Sequence, residues 1–348
     1  MSPRELDEDD VRVRPGRSSR PRTRTRPAHE DASPAEVLSV DRGRFRLRHA
    51  EAGLLTAVRA RELGRRGVVV GDRVAVVGDL AGGPDALARI VRIEPRTSLL
   101  RRTPDDSDPV ERAVVANAEV LVVVTALADP VPRPRLVDRC LVAAYDGGLV
   151  PLLCLTKRDL ADPAELLALY EPLGVEAIVT GPGEDDPGVE QLRQRLADRT
   201  SVLFGQSGVG KSTLVNRLVP DAFRAVGDVT GVGKGRHTSS SAIALPLPGG
   251  GTVVDTPGIR SFGLGAVTAE RVLAAFPDLV EGAQQCPPGC THLEGVIGCA
   301  LDGWAELSGN RITLILRLSM KLLYMWTELT RQSPPGLTIC GFGGGAAT

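Results

Sequence analysis

Lysine is nearly missing from this sequence. Of its 42 basic residues, four are lysine, at Lys157, Lys211, Lys234 and Lys321, and the rest are arginine. A chain that otherwise uses arginine keeps lysine where a compact ammonium suits a phosphate better than a forked guanidinium. Net charge is −1, so no global field directs the chain to nucleic acid and any basic surface must come from local clusters. Aromatic residues make up 3%, too few for a broad base-stacking platform. No apolar run reaches about 18 residues, so no helical membrane span is expected. Arginines crowd the N-terminal region without an apolar core behind them, which excludes a secretory signal and implies a cytoplasmic chain. Its six cysteines are therefore expected as reduced thiols or metal ligands.

What the chain does have is centred on residues 201–216, SVLFGQSGVGKSTLVN. A short apolar run reads as a buried strand, breaks at Gly205, and resumes as a helix after Lys211 and Ser212. That is G-x-x-x-x-G-K-S between strand and helix. Gly205, Gln206, Ser207, Gly208, Val209 and Gly210 form a loop whose backbone N–H groups can fold around phosphate oxygens. Lys211 reaches the outer phosphates, the Ser212 hydroxyl is placed to hold Mg²⁺, and Thr213 continues into a helix whose N-terminal end adds positive potential.

At 348 residues and 42% hydrophobic content, several domains with real cores are expected. Residues 1–34 carry seven arginines between Val11 and His29, no acid in that interval, and almost nothing apolar. They are expected to be disordered, as a solvated tail or an electrostatic arm for RNA. Residues 35–94 read as a β domain, with strands near 37–40, 45–48, 54–60, 73–77 and 88–93 separated by turn signals. Five short strands suggest a small barrel, an OB-fold being one candidate. Arg42, Arg44, Arg46, Arg48, Arg59, Arg61, Arg65 and Arg66 lie on or beside it, which suits a phosphate backbone, with Phe45 as its lone aromatic. Residues 95–109 read as a linker. From 119 onward, apolar strands (120–126, 149–157, 175–180) alternate with helices near 133–146, 163–171 and 188–198. This is the pattern of a parallel sheet covered on both faces, which binds ligands beyond the carboxyl ends of its strands.

Thr156, Lys157, Arg158 and Asp159 close one of those strands. A carboxylate at Asp159 can accept from the ring N–H and exocyclic amine of guanine, a donor pair adenine lacks. Lys157 can lay its stem along the base. Thr156, where Asn is commoner, weakens discrimination for guanine. Residues 233–239, GKGRHTS, have the composition of a mobile segment, and Thr238 would complete the Mg²⁺ shell. In the DTPG that follows, Asp255 would hold the metal through water and the Gly258 N–H would bond the γ-phosphate. TKRD precedes the phosphate loop, the reverse of the usual order, and a circular permutation of one sheet accounts for it. Cys286, Cys290, His292 and Cys299 supply three thiols and an imidazole, a complete tetrahedral shell for a structural Zn²⁺.

With TKRD, GQSGVGKS, GKGRHTS, DTPG and this cysteine cluster, residues 35–302 resemble the RsgA/YjeQ family of circularly permuted GTPases. The resemblance implies an OB-like β-barrel (35–94), an α/β P-loop GTPase domain with permuted motif order (95–265) and a helical zinc-binding domain (266–330). Residues 331–348, which resemble nothing in the family, are expected to form a disordered tail. The ligand gaps in the cysteine cluster differ slightly from those usual in the family. The resemblance also implies GTP hydrolysis in late maturation of the small (30S) ribosomal subunit, with that subunit and its rRNA as partners, no membrane and a monomeric chain. Ile259 stands where many GTPases carry a water-orienting Gln, so intrinsic turnover is expected to be slow. His237 is then either the water-activating group or an RNA contact. Gly208 replaces the Asn common in potassium-dependent GTPases. Two other classes stay open from sequence: an RNA-binding adapter that uses GTP as a conformational latch, and an ATP-dependent kinase built on the same loop.

Overall fold

A computed structural model of the protein describes residues 29–63, 67–81, 86–103, 111–183, 185–220, 242–256, 269–274, 277–290, 292 and 296–301. The N-terminal arm to residue 28, Arg65, Arg66, His237, Thr238, Gly258 and the tail from residue 302 lie outside these described residues.

Alternation builds the first unit. In β2 (Arg44–His49) Phe45, Leu47 and His49 are buried while Arg44, Arg46 and Arg48 point outward, the period-2 pattern of a half-buried strand. Strands β1 (Ser33–Asp41), β3 (Gly53–Arg59), β4 (Arg73–Gly78) and β5 (Ala88–Ile93) join it in the order β1-β2-β3-β5-β4, and β4 pairs back onto β1. The five strands close into an OB-like barrel around Val37, Leu47, Leu55, Val74, Val76 and Ile90.

Phe45 is a core residue and offers no stacking surface. One expectation for this unit needs correction. Arg48 is occupied within the chain: it donates to Glu36 at 2.7 Å and to Thr252 Oγ1 at 3.3 Å. Arg42, Arg44, Arg59 and Arg61 are exposed.

Residues 95–109 are not simply a linker. β6 (Leu99–Arg102) pairs antiparallel with β7 (Arg112–Ala116) in a separate two-stranded sheet. Leu100 and Val115 are buried there, and the Ser98 hydroxyl donates to the Ala118 carbonyl at 2.5 Å.

The second unit rests on strands buried along nearly their whole length. β8 (Val120–Ala126), β9 (Val150–Thr156) and β11 (Thr200–Gly205) are apolar throughout their centres, as a sheet covered on both faces requires. With β10 (Glu176–Val179), β12 (Ile243–Pro246) and β13 (Thr252–Asp255) they run in the order β10-β9-β8-β11-β13-β12. All pairs are parallel except β12 with β13. The chain moves outward from β8 to β9 to β10, then crosses back to β11 on the other side of β8. Right-handed crossovers put α1 (Pro134–Asp146) and α2 (Ala164–Tyr170) on one face, and α3 (Pro187–Leu196) and α4 (Lys211–Leu218) on the other. The topological switch point falls between β8 and β11, where ligands bind in open parallel sheets. Ser39 of β1 pairs with Ile243 of β12, so barrel and parallel sheet share one hydrogen-bonded array.

Beyond the sheet, α5 (Ala269–Ala274) and α6 (Pro277–Ala283) lead into the cysteine cluster. Arg271 of α5 donates at 2.7 Å to both Glu111 and Asp146. No helix among the described residues is long and apolar enough to cross a membrane.

Candidate nucleotide site and metal centre

The phosphate loop leaves β11 at the switch point. Gly205 is needed there because a Cβ would lie 2.8 Å from the Val124 carbonyl oxygen of β8. Gly210, with φ +90, turns the chain into α4 in a left-handed conformation that favours glycine. Val209 is buried and anchors the loop, while Ser207, Gly208, Ser212 and Thr213 are exposed and Gln206 is half-buried. Lys211 opens α4, is 8% exposed, and forms an ion pair with Asp255.

Asp255 ends β13, which lies parallel beside β11 with Leu203 opposite it. The next residue, Thr256, is buried and donates to the Leu203 carbonyl at 2.7 Å, locking the two strand ends together. On the other side of β8, TKRD ends β9. Thr156 is buried; Lys157 takes φ +61 and donates to the Asp129 carbonyl; Arg158 and Asp159 are exposed. The carboxyl ends of β9, β11 and β13 therefore lie on one rim. At about 4.8 Å per strand, the ends of β9 and β11 that lead to Asp159 and Lys211 are about 10 Å apart.

The four expected metal ligands also converge. One donor atom each from Cys286, Cys290, His292 and Cys299 lies within 4.8 Å of the others. His292 Nδ1 is 3.5 Å from Cys286 Sγ and 3.9 Å from Cys299 Sγ, and the Ala300 N–H donates to Cys286 Sγ at 3.3 Å. Burial, together with the neighbouring thiols of Cys290 and Cys286, pushes the Cys299 thiol up to about 11. A cation among these atoms would reverse that balance by stabilising thiolates. The donor set fits a tetrahedral metal centre.

Residues 93–265 match the RsgA GTPase family. The chain is 41% identical over 244 residues to the small ribosomal subunit biogenesis GTPase RsgA of Pseudomonas fluorescens (strain SBW25), covering 67% of this chain and 68% of that one. It is 37% identical over 270 residues to the protein of the same name from Gemmatimonas aurantiaca, covering 73% and 82%. This chain belongs to the RsgA GTPase family. Its fold matches that of YjeQ from Thermotoga maritima, with a TM-score of 0.62 and 23% identity over 87% of this chain and 100% of that one. It also matches YloQ, described as a circularly permuted GTPase, with a TM-score of 0.59 and 22% identity over 88% and 98%. The permuted strand order, with TKRD upstream of the phosphate loop, is thus a property of the fold.

Within this RsgA-family site, sequence reasoning named Thr156 and Val209 but not the bond between them: the Thr156 hydroxyl donates to the Val209 carbonyl at 2.6 Å. It missed Asp186 and Arg217 altogether. Asp186 is buried; its carboxylate accepts from Arg158 at 2.7 Å, from the Gly181 N–H at 3.1 Å and from the Val189 N–H at 3.2 Å. The last of these caps α3. Asp-Pro before a helix was a legible N-cap signal. Arg217 of α4 donates to the Gly181 and Gly183 carbonyls, and nothing in its sequence context marked it out.

Proposed function

We propose that this chain is a Mg²⁺-dependent GTPase that hydrolyses GTP to GDP and phosphate during late maturation of the small ribosomal subunit, with turnover stimulated by that subunit. The observation that supports this reading is the placement of TKRD, GKS and Asp255 at the carboxyl ends of β9, β11 and β13 on one rim. Two curated relatives are named small ribosomal subunit biogenesis GTPases. The protein would act in the cytoplasm as a monomer, with rRNA contacted through the exposed arginines of the barrel.

In this reading the carboxylate of Asp159 accepts the ring N–H and exocyclic amine of guanine, and Lys157 supports the base. Loop amides from Gly205 to Gly210 and the ammonium of Lys211 hold the β and γ phosphates. The Ser212 hydroxyl at the start of α4 and the Asp255 carboxylate at the end of β13 are hard oxygen donors that would hold Mg²⁺, Asp255 through water, with Thr238 as a further ligand. Mg²⁺ supplies charge neutralisation across the phosphates. Lys211 leaves Asp255 when phosphate arrives, so the ion pair exchanges partners. We assign activation of the attacking water to His237 and a γ-phosphate hydrogen bond to the Gly258 N–H. Cys286, Cys290, His292 and Cys299 would hold one structural Zn²⁺.

Turnover of GTP, measured with and without purified small subunits and in competition with ATP, tests the proposal. GTP hydrolysis that rises with the subunit and resists excess ATP is expected. Equal competition by ATP would instead point to a kinase-like site, and tight GTP binding without turnover to a latch. His237→Ala is expected to abolish stimulation while sparing GTP affinity.

A further inference from the structure

The loop that leaves β10 runs beside the TKRD loop. Thr180 takes its N–H to the Leu155 carbonyl of β9 at 2.7 Å, and the Arg158 N–H donates to the Thr180 carbonyl at 3.2 Å. Gly181 packs against the Arg158 side chain, where a Cβ would lie 2.9 and 2.8 Å from Cγ and Nε. The loop is therefore part of the purine end of the rim. Its orientation comes from two side chains in neither the phosphate nor the guanine motif. Asp186 takes the Gly181 N–H. From the opposite side, Arg217 donates Nη1 to the Gly181 carbonyl at 2.8 Å and Nη2 to the Gly183 carbonyl. The backbone of Arg217 is tied to α3, where Arg193 donates to its carbonyl at 2.7 Å.

The two carbonyls that Arg217 occupies matter because of what a purine carries at position 6. Guanine presents an oxygen there, an acceptor that is repelled by unpaired carbonyls. Adenine presents an amine, which such carbonyls would welcome. We infer that Arg217 is a positioning residue for the purine end of the site, holding the Gly181 and Gly183 carbonyls so that they offer no acceptors that would favour adenine over guanine. This rests on the guanine reading above, and it adds a second determinant. Asp159 selects for the N1–H and 2-amino donors, and Arg217 works against the 6-amino group.

The test separates these two edges. Full-length wild type and Arg217→Met are titrated with GDP, IDP and ADP in Mg²⁺ by displacement of a fluorescent nucleotide. IDP keeps the N1–H and the 6-oxygen and lacks only the 2-amine, so the GDP-to-IDP preference reports the 2-amine contact to Asp159. ADP lacks both Asp159 donors and carries the 6-amine, so a change in the GDP-to-ADP preference at constant GDP-to-IDP preference reports the 6 edge. Arg217→Met should lower the GDP-to-ADP preference about tenfold and leave the GDP-to-IDP preference unchanged. A GDP-to-ADP preference within about twofold of wild type, or a parallel fall for all three nucleotides, would overturn the inference by reducing Arg217 to a structural residue. If Arg217→Met does not hold nucleotide, Arg217→Lys is read by the same ratio. It keeps the charge and loses the fork, so an intermediate preference is expected and a wild-type one overturns the inference. A wild type without preference for GDP over ADP would sink the guanine reading itself, an outcome distinct from failure of the Arg217 variants.

Discussion

The hydroxyl of Thr156 and the carbonyl of Val209 lie 2.6 Å apart, joining the TKRD loop to the glycine-rich loop after β11 across 53 residues of chain. Both residues are buried, so the carbonyl has no water to turn to if the hydroxyl is removed. Leaving a buried acceptor unpaired costs about 1–3 kcal/mol. Thr156→Val preserves the shape and removes the donor. It should weaken binding of GDP and GTP alike by about tenfold, with Thr156→Ser close to wild type. Equilibrium titration of both variants checks this. Unchanged affinity in Thr156→Val would show that the two loops do not depend on this bond.

A second prediction concerns the ion pair between Lys211 and Asp255. Lys211 is 8% exposed and Asp255 is one-third exposed, so the pair is partly screened and worth about 1–2 kcal/mol. Asp255→Asn releases the ammonium for phosphate and deletes a metal-directed carboxylate. Without Mg²⁺, the variant should bind GDP as well as wild type or up to about tenfold more tightly. The gain in GTP affinity that Mg²⁺ brings to wild type should disappear. Titrations in EDTA and in Mg²⁺ read both effects, and an unaltered Mg²⁺ response would remove Asp255 from the metal shell.

Much of this architecture was legible because burial leaves a plain mark on sequence. VLVVVTA could only be a strand covered on both faces, and RFRLRH alternates as a half-buried strand must. The phosphate loop, TKRD and the cysteine cluster were readable because their chemistry demands particular residues at short spacing. The β6–β7 hairpin was hidden, since its strands are only four and five residues long and are held by distant partners such as the bridge between Val70 and Val115. β12 escaped for a similar reason, being a four-residue strand that ends in Pro246. Arg48 was misread as a free phosphate contact because its partners, Glu36 and Thr252, meet it only through the fold. Arg217 is one arginine among many, and its role exists only where α4 meets the loop after β10.

Thiol reactivity offers a third prediction. Cys140 and Cys154 are buried, and burial pushes both thiols up, Cys154 to about 12. Thiolate is the reactive form, so these two should resist modification until the domain unfolds. Cys286 and Cys290 are half-buried. With metal bound, the cluster should react slowly. After removal of metal with a strong chelator, Cys286 and Cys290 should become reactive, with the buried Cys299 slower, while GDP binding persists. Counting fast-reacting thiols before and after chelation, alongside metal analysis for one Zn²⁺ per chain, decides it. Fast cluster thiols in the untreated protein that chelation does not change would argue against a bound metal.

The fourth prediction is a pH dependence set far from the nucleotide. Asp138 of α1 faces Tyr170 at the end of α2, and the Tyr170 hydroxyl lies 3.2 Å from both Asp138 Oδ1 and the Pro134 carbonyl. Burial raises the Asp138 carboxyl above its ordinary range, with the Tyr170 hydrogen bond pulling partly back. Tyr170 is raised as well, by burial first and then by the Asp138 charge, so it stays protonated as the donor. Between the ordinary carboxylate range and the raised value, the folded chain holds a proton that the unfolded chain has released. Stability from this group therefore grows as pH falls through that window and is lost as pH rises through it. Asp138→Asn removes the buried charge and keeps an acceptor for Tyr170. It should raise Tm at pH 7 by about 2 °C, the scale of a sub-kcal/mol change in a chain of this size. The gap between variant and wild type should narrow as the pH is lowered into the carboxylate range. Melting curves at several pH values test the sign, and a gap that widens on acidification would mean that the Asp138 charge stabilises the fold.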